Sequence, residues 1–154
     1  MVRVIFDMDG TIADLYAVNN WLEGLRAEKA GLYINCQPMV DMVRLTNICK
    51  RLQSKGIKID IISWASLGCS EEYFDIIKQE KKAWLKKYFP VEFDSISITP
   101  YGFPKEKVAL RGQTKILIDD NIDVLNSWQT PIQRKAINAN SDFIEVLEIM
   151  DNIL

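Results

Sequence analysis

Four stretches of this chain carry side chains that could do chemistry together: Asp7-Met8-Asp9-Gly10-Thr11, Ser63, Lys105 and Asp119-Asp120. They bring acids, hydroxyls and a lysine but no histidine, because the 154-residue sequence contains none. That absence excludes Ser-His-Asp and Cys-His nucleophile pairs, phosphohistidine chemistry, imidazole-held zinc and histidine-ligated haem. Acids gathered without imidazole suit a hard, oxygen-seeking cation such as magnesium. With a hydroxyl and an ammonium beside them they could hold a phosphoryl group. One carboxylate could then attack phosphorus and carry it as an aspartyl phosphate.

Singly, each stretch has an ordinary structural reading. Asp-x-Asp-Gly is often only a turn, Ser63 a strand-end hydroxyl, Lys105 a solvated residue opening a helix, and Asp119-Asp120 a helix cap. A calcium loop fails at once: counted from Asp7, the sixth position should be glycine and the twelfth glutamate, and they are Ile12 and Val18. The case for a site rests on all four stretches, in this order, each at the end of a strand.

Positioning them requires elements. Residues 2–8, 57–63, 95–99 and 115–119 are short runs rich in isoleucine, as strands covered on both faces tend to be, and 135–139 reads as a short last strand. Leu15, Val18, Leu22 and Leu25 step at helical spacing. Pro38 opens a second helical stretch with Met42, Leu45, Ile48 and Leu52 on one stripe and Gly56 as its terminal cap. Residues 71–88 form a third helix or a pair, acidic at the start (Glu71, Glu72) and basic at the end (Lys86, Lys87), as the helix dipole favours. Residues 121–128 and 141–152 complete the set. This alternation predicts an α/β fold with a parallel sheet, helices on both faces, and a ligand site at the carboxyl ends of the strands. No repeat or linker divides residues 1–154, so one domain is expected.

With its motifs in that order, the chain resembles the haloacid dehalogenase-like (HAD) hydrolase superfamily. The match is carried by Asp7-Met8-Asp9-Gly10-Thr11, Ser63, Lys105 and Asp119-Asp120. The resemblance implies a Rossmann-like three-layer α/β/α sandwich and a magnesium-dependent phosphatase. It makes Asp7 the nucleophile and Asp9 the general acid, then base. Gly10, Thr11, Ser63 and Lys105 become phosphate-binding residues, and Asp7, Asp9, Asp119 and Asp120 the magnesium site. Lys107 is the alternative to Lys105. Dehalogenases and ATP-driven pumps of similar fold lack the second acid, so Asp9 favours phosphoester hydrolysis. Neither inter-motif gap has room for the large cap domain of many relatives. An open site is expected, or one lidded by another subunit of a homo-oligomer.

The short chain and its motifs also resemble the 5′-nucleotidase and polynucleotide-phosphatase branches, which makes a small phosphorylated substrate, a nucleotide first, the leading expectation. Tyr16, Trp21 and Trp64 could stack on a nucleobase, although at helical spacing they read as core or flanking residues. Trp84, Trp128 and Met39 read as core, and Lys78, Lys81, Lys82, Lys86 and Lys87 as a solvated helix face. A net charge of −2 is no footprint of a nucleic-acid binder. Cys36, Cys49 and Cys69 fit neither a disulfide framework nor a four-thiolate zinc site and read as buried small residues. A reducing cytoplasm is expected, with no signal peptide or membrane span at the N-terminus. The alternative function is a non-catalytic module binding phosphate or a partner on the same scaffold.

Overall fold

Strand β1 (Val2–Phe6) forms the middle of a five-stranded sheet in a computed structural model that describes residues 1–154. Its neighbours are β2 (Lys58–Trp64) and β4 (Thr114–Asp119), and β3 (Ser95–Thr99) and β5 (Arg134–Asn138) form the edges. The order is β3-β2-β1-β4-β5, and every pairing is parallel. The chain winds outward from β1 to β3, then returns to the other side of β1. The reversal lies between β1 and β4, where such sheets open a crevice at their carboxyl ends. There Phe6 pairs with Ile118, and the Asp7 N–H donates to the Ile118 carbonyl at 3.0 Å. Asp7, just past β1, and Asp119, the last residue of β4, are therefore set side by side.

Alternation along the strands divides the core between two faces. Val4, Phe6, Ile59, Ile61 and Ile118 join the larger cluster, covered by α2 (Met42–Ser54), α3 (Glu71–Tyr88) and α5 (Phe143–Ile153). Phe6 meets Phe89 and Phe143 edge-on at 5.4 and 6.3 Å between ring centres. Ile5, Ile62 and Leu117 face the other way, onto Val124 and Trp128 of α4 (Ile122–Trp128). The result is an α/β sandwich with helices on both faces of an all-parallel sheet. No helix is long and apolar enough to cross a membrane.

Local sequence explains most of the boundaries. Asp41 caps α2 through the Arg44 N–H at 3.0 Å, and Gly56, at φ +85°, turns the chain away after it. Ser70 caps α3, which is one continuous helix rather than a pair. Two expectations are corrected. Residues 15–25 do not form one helix: a single 3₁₀ turn (Leu15–Ala17) is followed by the short α1 (Trp21–Arg26). Between them Val18 is extended and Asn20 adopts φ +56°, which breaks the helical hydrogen-bond ladder. Pro38 opens no helix; it pairs by an isolated bridge with Ala13, and neighbouring Met39 is 42% exposed rather than core. Trp84 and Trp128 are core, as are Cys36 and Cys49, whereas Cys69 is only half-buried.

A buried ion network ties the second face to the loop that follows β3. The Arg3 guanidinium donates to Asp60 at 3.0 Å, to Asp94 at 2.5 Å and to the Arg111 carbonyl at 2.6 Å. Ser95 Oγ donates to the other Asp60 oxygen at 2.8 Å. Removing one partner would strand a buried charge, a loss of about 3–5 kcal/mol. Asp60→Ala is therefore expected to lower the urea midpoint sharply, while Arg44→Ala, which breaks an exposed pair with Glu148, should move it far less. Equilibrium urea unfolding of the two variants checks the contrast.

Candidate functional site

Asp7 follows the end of β1, and the tight turn after it exposes the next functional groups. The N–H groups of Thr11, Ile12 and Ala13 all donate to the Met8 carbonyl, folding residues 8–13 into a knot. Gly10 sits at φ +77°, and a Cβ there would lie 2.3 Å from Asp120 Oδ2 and 2.8 Å from the Tyr16 ring. Glycine is needed both for the backbone angle and for the close approach of Asp120. The Thr11 hydroxyl, expected to face phosphate, is buried and directed at Asp7 Oδ2 (3.1 Å) and Asp120 Oδ1 (3.4 Å). It braces carboxylates.

Lys105, and not Lys107, reaches the acids. It opens a 3₁₀ turn after the Pro-Tyr-Gly-Phe-Pro loop, is 3% exposed, and places Nζ 2.8 Å from Asp7 Oδ1 and 2.7 Å from Asp119 Oδ2. Burial alone would lower its pKa, but the charges of Asp7 and Asp119 more than offset this and hold it above the ordinary lysine value. Lys107 stays exposed. The second Asp119 oxygen accepts the Asn121 N–H at 2.9 Å, which orients that carboxylate at the start of α4.

One oxygen from each of Asp7, Asp119 and Asp120 lies within 4.8 Å of the others. Asp120 is the least engaged, its only hydrogen bond being the 3.4 Å one from Thr11. This all-oxygen, all-anionic set fits a hard divalent cation. Burial first, then the charges of Asp7 and Asp119, push the Asp120 carboxyl up to about 7, and burial raises Asp119 as well. Asp9, expected among the ligands, stands outside this trio. Its Oδ2 accepts from the Tyr33 hydroxyl at 2.9 Å and from Lys81 Nζ at 3.0 Å, while its Oδ1 is buried without a partner. Burial raises the Asp9 pKa, with Lys81 pulling it down and Asp7 adding to the rise.

Lys81 is the largest correction. Instead of lying on a solvated face it is 0% exposed, and its ammonium donates to Asp9, to Ser63 Oγ (2.7 Å) and to the Trp64 carbonyl (2.7 Å). The signal was in the sequence: Tyr73, Ile77, Lys81 and Trp84 share one buried stripe of α3. Tyr33, the other residue that sequence reasoning missed, carries no such pattern. It lies in the segment between α1 and α2, which α3 anchors through Tyr73 Oη to the Lys29 carbonyl (2.8 Å), Glu80 to the Gly31 N–H (2.8 Å) and Trp84 to the Cys36 carbonyl (2.9 Å).

A cavity of about 440 Å³ opens over Asp7, Asp9, Lys105, Asp119 and Asp120. Tyr16, Trp21, Tyr33, Trp64 and Tyr101 line it, with Leu22, Leu25 and Arg26 of α1. Tyr16 and Trp21 pack edge-on at 4.8 Å, and Trp64 meets Tyr101 at 5.0 Å while its indole N–H holds the Phe103 carbonyl at 2.9 Å. Of the residues read as core or flanking, Trp21 and Trp64 flank the core partly buried and Tyr16 is half exposed, and all three wall the site. The short segment around α1 supplies one wall of the cavity.

No protein-family model and no curated protein matches this chain.

The raised Asp120 pKa has a definite thermodynamic sign. With its folded value near 7 and an unfolded value near 3.9, the folded state binds more protons between them, so stability falls as pH rises through that window. In a chelator, the melting temperature should drop between about pH 4 and pH 7, and Asp120→Asn should flatten this trend. Added magnesium should restore more stability at pH 7 than at pH 5, because a bound cation must displace the Asp120 proton at the lower pH. Melting curves across pH, with and without magnesium, read out both effects.

Proposed function

We propose that the chain is a magnesium-dependent phosphomonoesterase of the HAD-like type that works through an aspartyl phosphate on Asp7, with a nucleotide as the leading substrate. The observation that carries this reading is Lys105 bridging Asp7 and Asp119 beside the lightly engaged Asp120, at the switch point of a parallel sheet. Two of the three ammonium protons are taken by these carboxylates, and the third is left for a phosphoryl oxygen.

In this reading an Asp7 oxygen attacks phosphorus, with Lys105 against the phosphoryl oxygens; Ser63, buried and held by Lys81, stands behind the cavity. Asp9 gives its proton to the departing oxygen and later takes one from the water that cleaves the phosphoenzyme. Asp7, Asp119 and Asp120 would hold magnesium, which when bound supplies charge neutralisation for the phosphoryl group. Thr11 and Gly10 keep Asp7 and Asp120 in register. The aromatic wall supports a substrate with a flat ring, because every nucleobase offers a face for stacking.

Release of inorganic phosphate from a panel of nucleotides and sugar phosphates, with magnesium present, tests the proposal. Nucleotides should be turned over best, and Asp7→Asn should lower turnover by at least about three orders of magnitude. Silence across the panel would overturn it in favour of a binding module. Lys105→Ala should abolish most activity and Lys107→Ala should leave it near wild type, as measured in the same assay.

A further inference from the structure

Asp9 is held from behind by two donors that converge on one of its oxygens. Lys81 Nζ lies 3.0 Å and Tyr33 Oη 2.9 Å from Oδ2, and the Lys81 ammonium also sits over the Tyr33 ring, 5.2 Å from its centre. The remaining Lys81 protons go to Ser63 Oγ and the Trp64 carbonyl, so all three donors of this fully buried lysine are used inside the protein. No proton is left for a substrate. The other oxygen, Oδ1, is buried and has no partner, so the two donors on Oδ2 alone set the orientation of the Asp9 carboxyl. Asp9 itself lines the cavity.

We infer that Lys81 and Tyr33 are positioning residues that hold Asp9 in the orientation from which it protonates the leaving group, and that Lys81 fixes the Ser63 hydroxyl with the same ammonium; this rests on the phosphatase reading above. In the step concerned, the Asp7 oxygen forms a bond to phosphorus and the bond from phosphorus to the ester oxygen breaks. The electron pair goes to that oxygen, which takes the proton from Asp9, leaving Asp9 as a carboxylate and the product as a neutral alcohol. An alkoxide cannot leave without that proton. A nitrophenolate can. The inference therefore assigns the site to phosphate esters of aliphatic alcohols, whose cleavage depends on a well-placed acid.

Leaving-group dependence separates positioning from mere support of the fold. The experiment compares kcat/KM, which covers the steps up to alcohol release, for glycerol phosphate and para-nitrophenyl phosphate. The proteins are wild type, Lys81→Met, Tyr33→Phe, Asp9→Asn and the double variant Lys81→Met/Asp9→Asn. Lys81→Met should lose about 100-fold on glycerol phosphate and less than about tenfold on the nitrophenyl ester. Tyr33→Phe should show the same bias at smaller size. In the Asp9→Asn background, Lys81→Met should add little on glycerol phosphate, because both changes remove one function.

Equal losses on both esters, or additive losses in the double variant, would overturn the inference while leaving the phosphatase standing. If Lys81→Met does not fold, as its melting curve would show, Tyr33→Phe decides: an unbiased loss, or none, overturns the inference. Wild-type protein inactive on both esters overturns this inference, and silence on the nucleotide panel as well overturns the phosphatase reading.

Discussion

Like charges crowded at one edge of the sheet are the constraint that the rest of the site answers to. Asp7, Asp9, Asp119 and Asp120 sit at the ends of two adjacent parallel strands, and three of them are close enough to share a single ion. Burial makes such crowding costly, because a carboxylate removed from water needs a partner or a proton. Two buried lysines meet most of the demand, Lys105 between Asp7 and Asp119, and Lys81 against Asp9. Asp120 is left without a cation, and its raised pKa expresses that imbalance. With every carboxylate ionised, the four acids exceed their two lysine partners by two negative charges, which is what a divalent cation would neutralise. The electrostatics and the donor chemistry thus support the same proposed cofactor independently.

The scaffold contributes by fixing where those charges can go. Parallel pairing of β1 with β4 puts Asp7 beside Asp119, and pairing of β1 with β2 brings Ser63 to the same edge. Lys105 arrives on a loop outside the sheet, so it needs a separate anchor. Arg3 provides one from beneath, since its guanidinium binds the Arg111 carbonyl as well as Asp60 and Asp94. The Met1 carbonyl accepts the Gln113 N–H at 2.9 Å and closes the same loop from its far end. A charge network on the second face of the sheet thus holds the far end of the loop that carries Lys105.

What could be read from the sequence follows what local pattern encodes. Strands were legible because isoleucine-rich runs bounded by polar residues have few other uses in a chain of this composition. The four motif stretches were legible because strand ends in such folds converge. The break at Asn20 was not, since the spacing of Leu15, Val18, Leu22 and Leu25 satisfies a helix even when one residue adopts a left-handed angle. Pro38 looked like a helix opener because a bridge to Ala13 is a tertiary event with no local signature. Lys81 was hidden for a different reason. A lysine among neighbouring lysines and acids reads as solvated, and only its place on the stripe with Tyr73, Ile77 and Trp84 argues otherwise.

That stripe carries a wider lesson about buried lysines. A long aliphatic stem lets lysine occupy a core position along most of its length, provided that its ammonium finds enough acceptors at the tip. Lys81 packs within α3 like its apolar neighbours and ends at an oxygen cluster that takes every proton. The arrangement would be wasteful as a stability device, because a buried ion pair seldom outperforms a well-packed apolar residue of similar volume. Its value lies in geometry: one rigid helix fixes Asp9, the Ser63 hydroxyl and the β2 terminus through a single atom. The same helix holds the segment that carries Tyr33 and the cavity wall. Helix α3 is thus the element that joins the proposed proton donor to the surface that would meet the substrate.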